Sequence, residues 1–141
     1  MESFKTELES AFAMWAKVAN IEFREVAAGE PANILIGAQG DPTGYAFTDV
    51  RYQSGKDAVR TIDRSLICLN PERRWKIGFD GNLLVYDLRY TIAHEIGHAI
   101  GLDHPSASGQ LMSFRYDEHF RQLQEGDIRG VTQIYGTNAD K

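Results

Sequence analysis

The chain has 141 residues, with 20 acidic and 15 basic side chains, a formal net charge of −5 and 43% hydrophobic residues. The length predicts a single domain over residues 1–141, and the composition is that of a globular protein with a hydrophobic core. The acidic balance argues against general binding to nucleic acids or anionic membranes, and no apolar run approaches the roughly 20 residues of a membrane-spanning helix, so neither partner is expected.

The first predicted element is an amphipathic helix at the start of the chain. Its apolar side chains recur at spacings of three and four residues, and Ser3 is the predicted N-cap. The chain enters this helix directly from Met1, so no signal peptide is expected within the sequence. The apolar stripe consists of Phe4, Leu8, Ala11, Phe12, Trp15 and Val18.

Four β-strands are predicted between this helix and the next. The first strand contains the apolar residues Ile21, Phe23 and Val26. Consecutive apolar residues over 32–38 indicate a buried strand, and a turn with proline and glycine precedes a short edge strand over 44–50. Residues 61–69 are again rich in β-formers and predict the fourth strand.

Two further helices complete the pattern. One is predicted over residues 87–100 and a weaker one over residues 127–135. The order of helix, strands and two helices predicts an α+β domain in which the helices pack on a sheet. The apolar side of the last helix consists of Ile128, Val131, Ile134 and Tyr135.

Three of the four histidines lie within eleven residues, on the second predicted helix and just after it. His94 and His98 are four residues apart, so they share one helical face and can reach one metal ion. The fourth histidine, His119, stands outside this pattern. A separate apolar stripe of the same helix points toward the core; it consists of Leu88, Ile92, Ile96 and Ile100.

The segment after this helix predicts a third ligand. Gly101 tolerates the left-handed conformation that ends a helix, so the chain can bring His104 back toward the other two imidazoles, and Pro105 prevents the helix from resuming. Three nitrogen ligands leave a fourth position for water, which is the arrangement of a catalytic zinc. Glu95 points to one side of the histidine face and is the predicted general base for a zinc-activated water that attacks a carbonyl.

Residues 94–104 resemble the zinc signature of the metzincin metallopeptidases. The chain around them resembles the catalytic domain of the matrixins (matrix metalloproteinases), with serralysin-like features, and the likeness extends from Phe4 to Gly136. It implies an α+β, zincin/metzincin-like fold with a mixed twisted sheet, an antiparallel edge strand, two long helices and a C-terminal helix. It also implies a zinc-dependent endopeptidase that acts on protein or peptide substrates and is secreted or extracellular. Nothing in the sequence indicates an oligomer, so a monomer is expected.

The resemblance assigns roles outside the signature as well. Met112, eight residues after His104, matches the methionine turn that supports the zinc ligands. Tyr116 matches the wall of the primed-side specificity pocket, whereas Phe114 stands where matrixins have a proline and serralysins a tyrosine. The strand over 44–50 matches the edge strand above the cleft. The substrate-binding residues implied in this way are Ala46, Phe47, Phe114 and Tyr116.

The sequence departs from the family in the residues that bind its other metal ions. Matrixin catalytic domains carry a structural zinc and calcium ions, but no histidine occurs between Ala38 and Thr91 here. One catalytic zinc and no structural zinc are therefore expected. A weak calcium site stays open, with the candidate ligands Asp41, Asp49 and Asp57.

Two further departures concern latency and the N-terminus. Gly126 replaces the first of the two paired aspartates of the family, and only Asp127 remains, so a salt bridge to a processed N-terminus is not expected. Cys68 is the single cysteine, which excludes an intramolecular disulfide and a cysteine-cluster metal site. We interpret it as a small buried residue of a strand, and no cysteine-switch propeptide is expected.

Two alternative functions stay open at this point. A zinc hydrolase with one narrow target would use the same chemistry. A non-catalytic zinc-binding module of the same fold would present the cleft to a partner, although such a module has no need for Glu95. Cleavage of unfolded casein or gelatin separates a general endopeptidase from a dedicated hydrolase.

Overall fold

The computed structural model describes residues 2–40, 44–55 and 61–141. Its helices and strands are α1 (Glu2–Ala16), β1 (Ile34–Ala38), β2 (Ala46–Tyr52), β3 (Ile62–Leu69), β4 (Trp75–Lys76), β5 (Tyr86–Asp87), α2 (Leu88–Ala99) and α3 (Glu125–Tyr135), and a short 3₁₀ helix follows at Asn138–Asp140. Within these ranges, every helix is too short or too polar to cross a membrane.

The main sheet is mixed and has β3 at its centre. β3 runs parallel to β1 and antiparallel to β2, so β2 is the predicted antiparallel edge strand. This strand begins at Ala46 rather than at residue 44, and its register places Phe47 opposite Cys68 and Thr48 opposite Ile67. β4 and β5 form a separate parallel pair.

The core lies between α1, α2 and the main sheet. The apolar stripe of α2 is buried as predicted, because it packs against α1 and β3. The Ser65 hydroxyl donates to the Ala99 carbonyl at 2.8 Å, which ties β3 to the end of α2. Cys68 is buried in β3 as predicted, and burial raises the pKa of its thiol. The largest fully buried apolar side chains are Trp15, Ile67, Ile92, Ile96, Leu111 and Val131.

The first predicted strand is wrong. The run with Ile21, Phe23 and Val26 has no ladder, and the nearest bridge joins Ala19 to Thr137 outside it. Its backbone pairs with no strand in the described ranges, and its apolar residues Ile21 and Phe23 pack against the core instead. The Phe23 ring packs on Phe12 of α1, with ring centroids 4.9 Å apart.

The strand predicted over residues 32–38 begins two residues later, at Ile34, and it is not buried. Leu35 is 41% exposed. β1 lies at the other edge of the main sheet; Ile34 and Ile36 pack against the core, whereas Leu35 points to the opposite face. Its apolar run therefore reflects β-propensity as well as burial.

The boundaries of the outer helices also differ from the predictions. Ser3 lies inside α1 instead of capping it, and Phe4 is partly exposed. α1 ends at Ala16, so Val18 packs against the core from the following turn. α3 begins at Glu125 rather than at residue 127, because Gln124 and Asp127 form a capping box around its first turn. On its predicted apolar side, Val131 is buried but Ile134 is exposed.

Candidate metal centre and catalytic site

The helix that carries the histidines begins at a buried acidic cap. The Asp87 carboxylate accepts hydrogen bonds from the backbone N–H groups of Tyr90 and Gly78, at 3.1 and 2.7 Å. The Arg121 guanidinium donates to both Asp87 oxygens, at 2.7 and 2.8 Å, and so compensates a charge that is fully buried. The start of α2 is thereby fixed to the segment that follows the predicted methionine turn.

The same helix ends in a Schellman motif at Gly101. Gly101 has a φ of +113°, and its N–H donates to the His98 carbonyl at 3.0 Å. The Leu102 N–H reaches back to the Gly97 carbonyl at 2.9 Å, which completes the motif. This sharp turn directs the chain toward His104, as we predicted from the presence of Gly101.

Backbone carbonyls of the loops after α2 orient both helical imidazoles. His94 Nδ1 lies 2.8 Å from the Leu111 carbonyl oxygen, and His98 Nδ1 lies 2.8 Å from the Leu102 carbonyl oxygen. A carbonyl oxygen only accepts, so each Nδ1 carries the hydrogen. Each Nε2 therefore presents a lone pair. Burial lowers the pKa of His94 to about 4 and also lowers the pKa of His98, so both rings are neutral near pH 7.

The three imidazoles converge on one point. The Nε2 atoms of His94, His98 and His104 lie 3.1–3.2 Å from one another. Nitrogen ligands at 2.0–2.1 Å from a tetrahedral zinc would be about 3.3–3.4 Å apart, so the observed triangle fits this ion. The Nε2 lone pairs of His94 and His98 face each other at this distance, so they repel unless a cation lies between them. In the described ranges these histidines are the one His, Cys, Asp and Glu group with ligand atoms this close.

Glu95 lies beside this cluster, on the β2 side of α2. Its side chain is 6% exposed, and Oε1 accepts a hydrogen bond from Thr48 Oγ1 at 3.0 Å. Burial raises the pKa of Glu95 to about 7, and the hydrogen bond from Thr48 opposes that rise. This pKa is that of the metal-free site, where no cation offsets the burial of the carboxylate.

The segment around Met112 lies directly under the histidine helix. A Cβ on Gly97 would lie 2.3 Å from Met112 Sδ, so only glycine allows this close approach. The Asp127 carboxylate accepts from the N–H groups of Leu111 and Met112 at 2.8 and 2.9 Å. The first turn of α3 therefore holds the turn whose Leu111 carbonyl orients His94.

A cleft of about 610 Å³ runs between β2 and the histidines. Ala46 and Phe47 line it from β2, and Phe114 lines it from the opposite wall. Phe114 is 82% exposed, and its ring stands perpendicular to the His104 ring, with centroids 5.2 Å apart. Three of the four predicted substrate-binding residues thus share one cleft with the histidines.

Tyr116 lies in an adjoining pocket of about 60 Å³ that also borders His94 and Phe114. Its hydroxyl accepts from the Asp87 N–H at 2.8 Å and donates to Glu118 Oε2 at 2.5 Å. Burial raises the pKa of Tyr116 well above its usual value, so the hydroxyl keeps its proton. These contacts make Tyr116 a fixed wall of the pocket.

Some predicted residues lie elsewhere. His119 is exposed and pairs with Asp117, with Nε2 and Oδ2 3.3 Å apart. Asp49 pairs with Arg51 on the exposed part of β2. Asp41 and Asp57, the other calcium candidates, lie outside the described residues.

The sequence analysis did not predict the supporting roles of four residues that build the site. They are Thr48, Asp87, Arg121 and Asp127. Asp87 precedes the apolar run of α2, so an N-cap rule could have found it. Asp127 follows Gln124 by three residues in a capping-box spacing. No local signal marks Thr48 or Arg121, because their partners are distant in sequence.

Comparison with known proteins places this chain in a family. The family model for matrixins matches residues 1–136. Metalloendoproteinase 1 of Glycine max is 31% identical, over 97% of this chain and 47% of its own length. Matrix metalloproteinase-19 of Homo sapiens is 30% identical, over 94% of this chain and 26% of its own length. Matrix metalloproteinase-23 of Rattus norvegicus is 29% identical, over 96% of this chain and 38% of its own length. The chain spans less than half the length of these relatives.

An α+β domain with a mixed sheet, three helices and three imidazoles converging on one point has the architecture of a metallopeptidase catalytic domain. The chain belongs to the matrixin family. The predicted resemblance and the predicted fold class are both confirmed by this match.

Proposed function

We propose that the chain is a zinc-dependent endopeptidase that hydrolyses peptide bonds with Glu95 as the general base. The observation that carries the proposal is the triangle of Nε2 atoms of His94, His98 and His104, with a buried carboxylate beside it. Zinc would be held by these three Nε2 atoms; when bound, it supplies a Lewis acid that makes a water nucleophilic and polarises the substrate carbonyl.

The chain's own residues account for the proton transfers. Glu95 takes a proton from the attacking water and delivers it to the amine nitrogen as the peptide bond breaks. The Leu111 and Leu102 carbonyls keep the imidazoles of His94 and His98 in the tautomer that binds metal. Met112 supports the same rings from below through its contact with the Gly97 backbone.

The outer edge of β2 supports a role in substrate binding. It pairs with no strand in the described ranges, so it can accept an extended peptide as an added strand. Ala46 and Phe47 would then lie along the substrate backbone, and Phe114 would close the opposite side of the cleft. Tyr116 would bound the pocket for one side chain.

The remaining properties follow from the same proposal. Residues 1–141 form one catalytic domain, which acts as a monomer with one catalytic zinc. Its substrates are proteins or peptides. In line with the family, the enzyme is secreted or extracellular. We propose that the domain binds no structural zinc, because His119 is the one histidine outside the cluster in the described ranges, and it is exposed.

The test compares zinc-loaded wild type with Glu95→Ala on a mixture of quenched-fluorescent peptides and on unfolded casein. We expect wild type to cleave both, and the variant to retain one zinc but lose at least about a hundredfold in kcat/KM, because the base is gone. Glu9→Ala, on the exposed face of α1, is the matched control and should cleave like wild type.

Both alternatives to an endopeptidase predict the same outcome in this experiment. If wild type binds one zinc and cleaves neither casein nor any peptide, a binding module or a hydrolase with one narrow target replaces the endopeptidase. If Glu95→Ala cleaves as fast as wild type, Glu95 is not the base.

A further inference from the structure

We propose that Thr48 is a positioning residue, whose hydroxyl fixes the Glu95 carboxylate for proton transfer. The inference rests on the proposed peptidase function, because it assigns a task to a neighbour of the general base. Thr48 lines the same cleft as the three histidines, but its hydroxyl bonds to Glu95, so it acts through that residue.

The position of Thr48 is set by the sheet. It lies in β2 opposite Ile67 of the central strand, and its backbone belongs to the β2–β3 ladder. Side chains alternate along a strand, so Thr48 shares the face of Ala46 and Val50. This face meets α2, because the Thr48 hydroxyl reaches the Glu95 backbone.

The hydroxyl contacts Glu95 twice. Thr48 Oγ1 lies 3.0 Å from Oε1 of the carboxylate and 3.2 Å from the carbonyl oxygen of the same residue. Both acceptors share the single hydroxyl hydrogen. The two contacts join the side chain of Glu95 to its own backbone, so they restrict rotation about its side-chain bonds.

The surroundings make this contact the principal restraint. Glu95 forms no ion pair with any basic residue in the described ranges, which is uncommon for a carboxylate that is 6% exposed. Among the other buried acids of the described ranges, Glu7 and Asp87 are held by arginines, and Asp127 is held by backbone N–H groups. Holding Glu95 by a neutral hydroxyl fixes its direction without placing a cation beside the proposed zinc. Because Thr48 engages Oε1, we assign the proton transfer to Oε2.

The test uses two substitutions of Thr48 that separate the hydroxyl from the side-chain shape. Thr48→Val keeps the volume and removes the hydroxyl, whereas Thr48→Ser keeps the hydroxyl. We expect Thr48→Val to lower kcat about tenfold to a hundredfold with little change in KM, and Thr48→Ser to restore most of kcat. Both should keep one zinc per chain. Thr132→Val is the control, because its hydroxyl bonds to Ile128 within α3.

A crystal structure of zinc-loaded Thr48→Val supplies a readout apart from activity. We expect the Glu95 side chain to adopt a second rotamer there, while it has one in wild type and in Thr48→Ser. The proposal is overturned if Thr48→Val keeps the wild-type kcat, or if Glu95 keeps one rotamer in that variant. If wild type cleaves no substrate, the proposed function fails, and the rotamers alone then decide whether Thr48 positions Glu95.

Discussion

Gly97 lies where the histidine helix, the methionine turn and α1 meet. A Cβ at this position would lie 2.3 Å from Met112 Sδ and 2.9 Å from Trp15 Cζ2. Alanine favours a helix over glycine by about 1 kcal/mol, but here the added methyl group must displace two buried side chains. Both neighbours are held in the core, so the steric clash outweighs the helix propensity of alanine, and the net effect on stability is unfavourable.

We therefore expect Gly97→Ala to lower the free energy of unfolding by about 1–3 kcal/mol, as overpacking does elsewhere. Urea unfolding of the zinc-free protein measures it. Gly37→Ala in β1 is the matched control, since a methyl group there would meet no other atom within 4 Å, and its stability should stay near that of wild type or rise. Equal stability of Gly97→Ala and wild type would show that Met112 moves aside at little cost.

At the scale of elements, the first turn of α3 holds the turn under the zinc site. Asp127 is 2% exposed, and its carboxylate accepts from three backbone N–H groups, those of Leu111, Met112 and Gln124, at 2.7–2.9 Å. An amide in its place would turn an N–H₂ group toward at least one of these donors. The donor would lose its partner, and a buried donor without a partner is costly.

Asp127→Asn should accordingly lower the free energy of unfolding by about 2–3 kcal/mol and weaken zinc binding through Leu111 and His94. Denaturant unfolding and competition with a chelator measure the two effects. Glu125→Gln removes a charge from the same helical turn but is exposed, so it should cost only about 0.3–1 kcal/mol. Similar losses in both variants would mean that the helix dipole, and not the bonds to the turn, explains the effect.

At the scale of the whole molecule, the three metal ligands converge only when α2 and the turn that follows it are formed. His94 and His98 lie on α2, and His104 follows the Gly101 turn, so the three Nε2 atoms face one another only in the native state. A ligand that binds only the native state stabilises it by mass action, by about 4 kcal/mol at a concentration a thousandfold above Kd.

Zinc should therefore raise the Tm of the metal-free protein, and a chelator should reverse the rise. Calorimetry and metal analysis should give one zinc per chain for wild type and for His119→Ala, but none for His104→Ala. A second zinc in wild type, or a loss of zinc in His119→Ala, would contradict the assignment of the site to these three histidines.

The histidine cluster was predictable because its geometry is local. Two histidines at a helical spacing and a glycine that ends the helix determine most of the triangle. The partners of Glu95 and Asp87 were not predictable, since Thr48 and Arg121 reach these carboxylates from distant parts of the chain. The fold class followed from the order of elements. The strand predicted around Phe23 failed because alternation shows which side chains point inward, but not whether the backbone has a partner.

One feature of α1 has a use in the laboratory. The Trp15 indole is fully buried, donates from Nε1 to the Ala93 carbonyl at 2.9 Å, and lies next to the backbone of Gly97. The other tryptophan, Trp75, lies in β4, with its ring centroid 6.2 Å from that of Tyr45. The protein thus carries a native fluorophore bonded to the residue before the first ligand, so emission spectroscopy follows the integrity of the metal centre without any added dye.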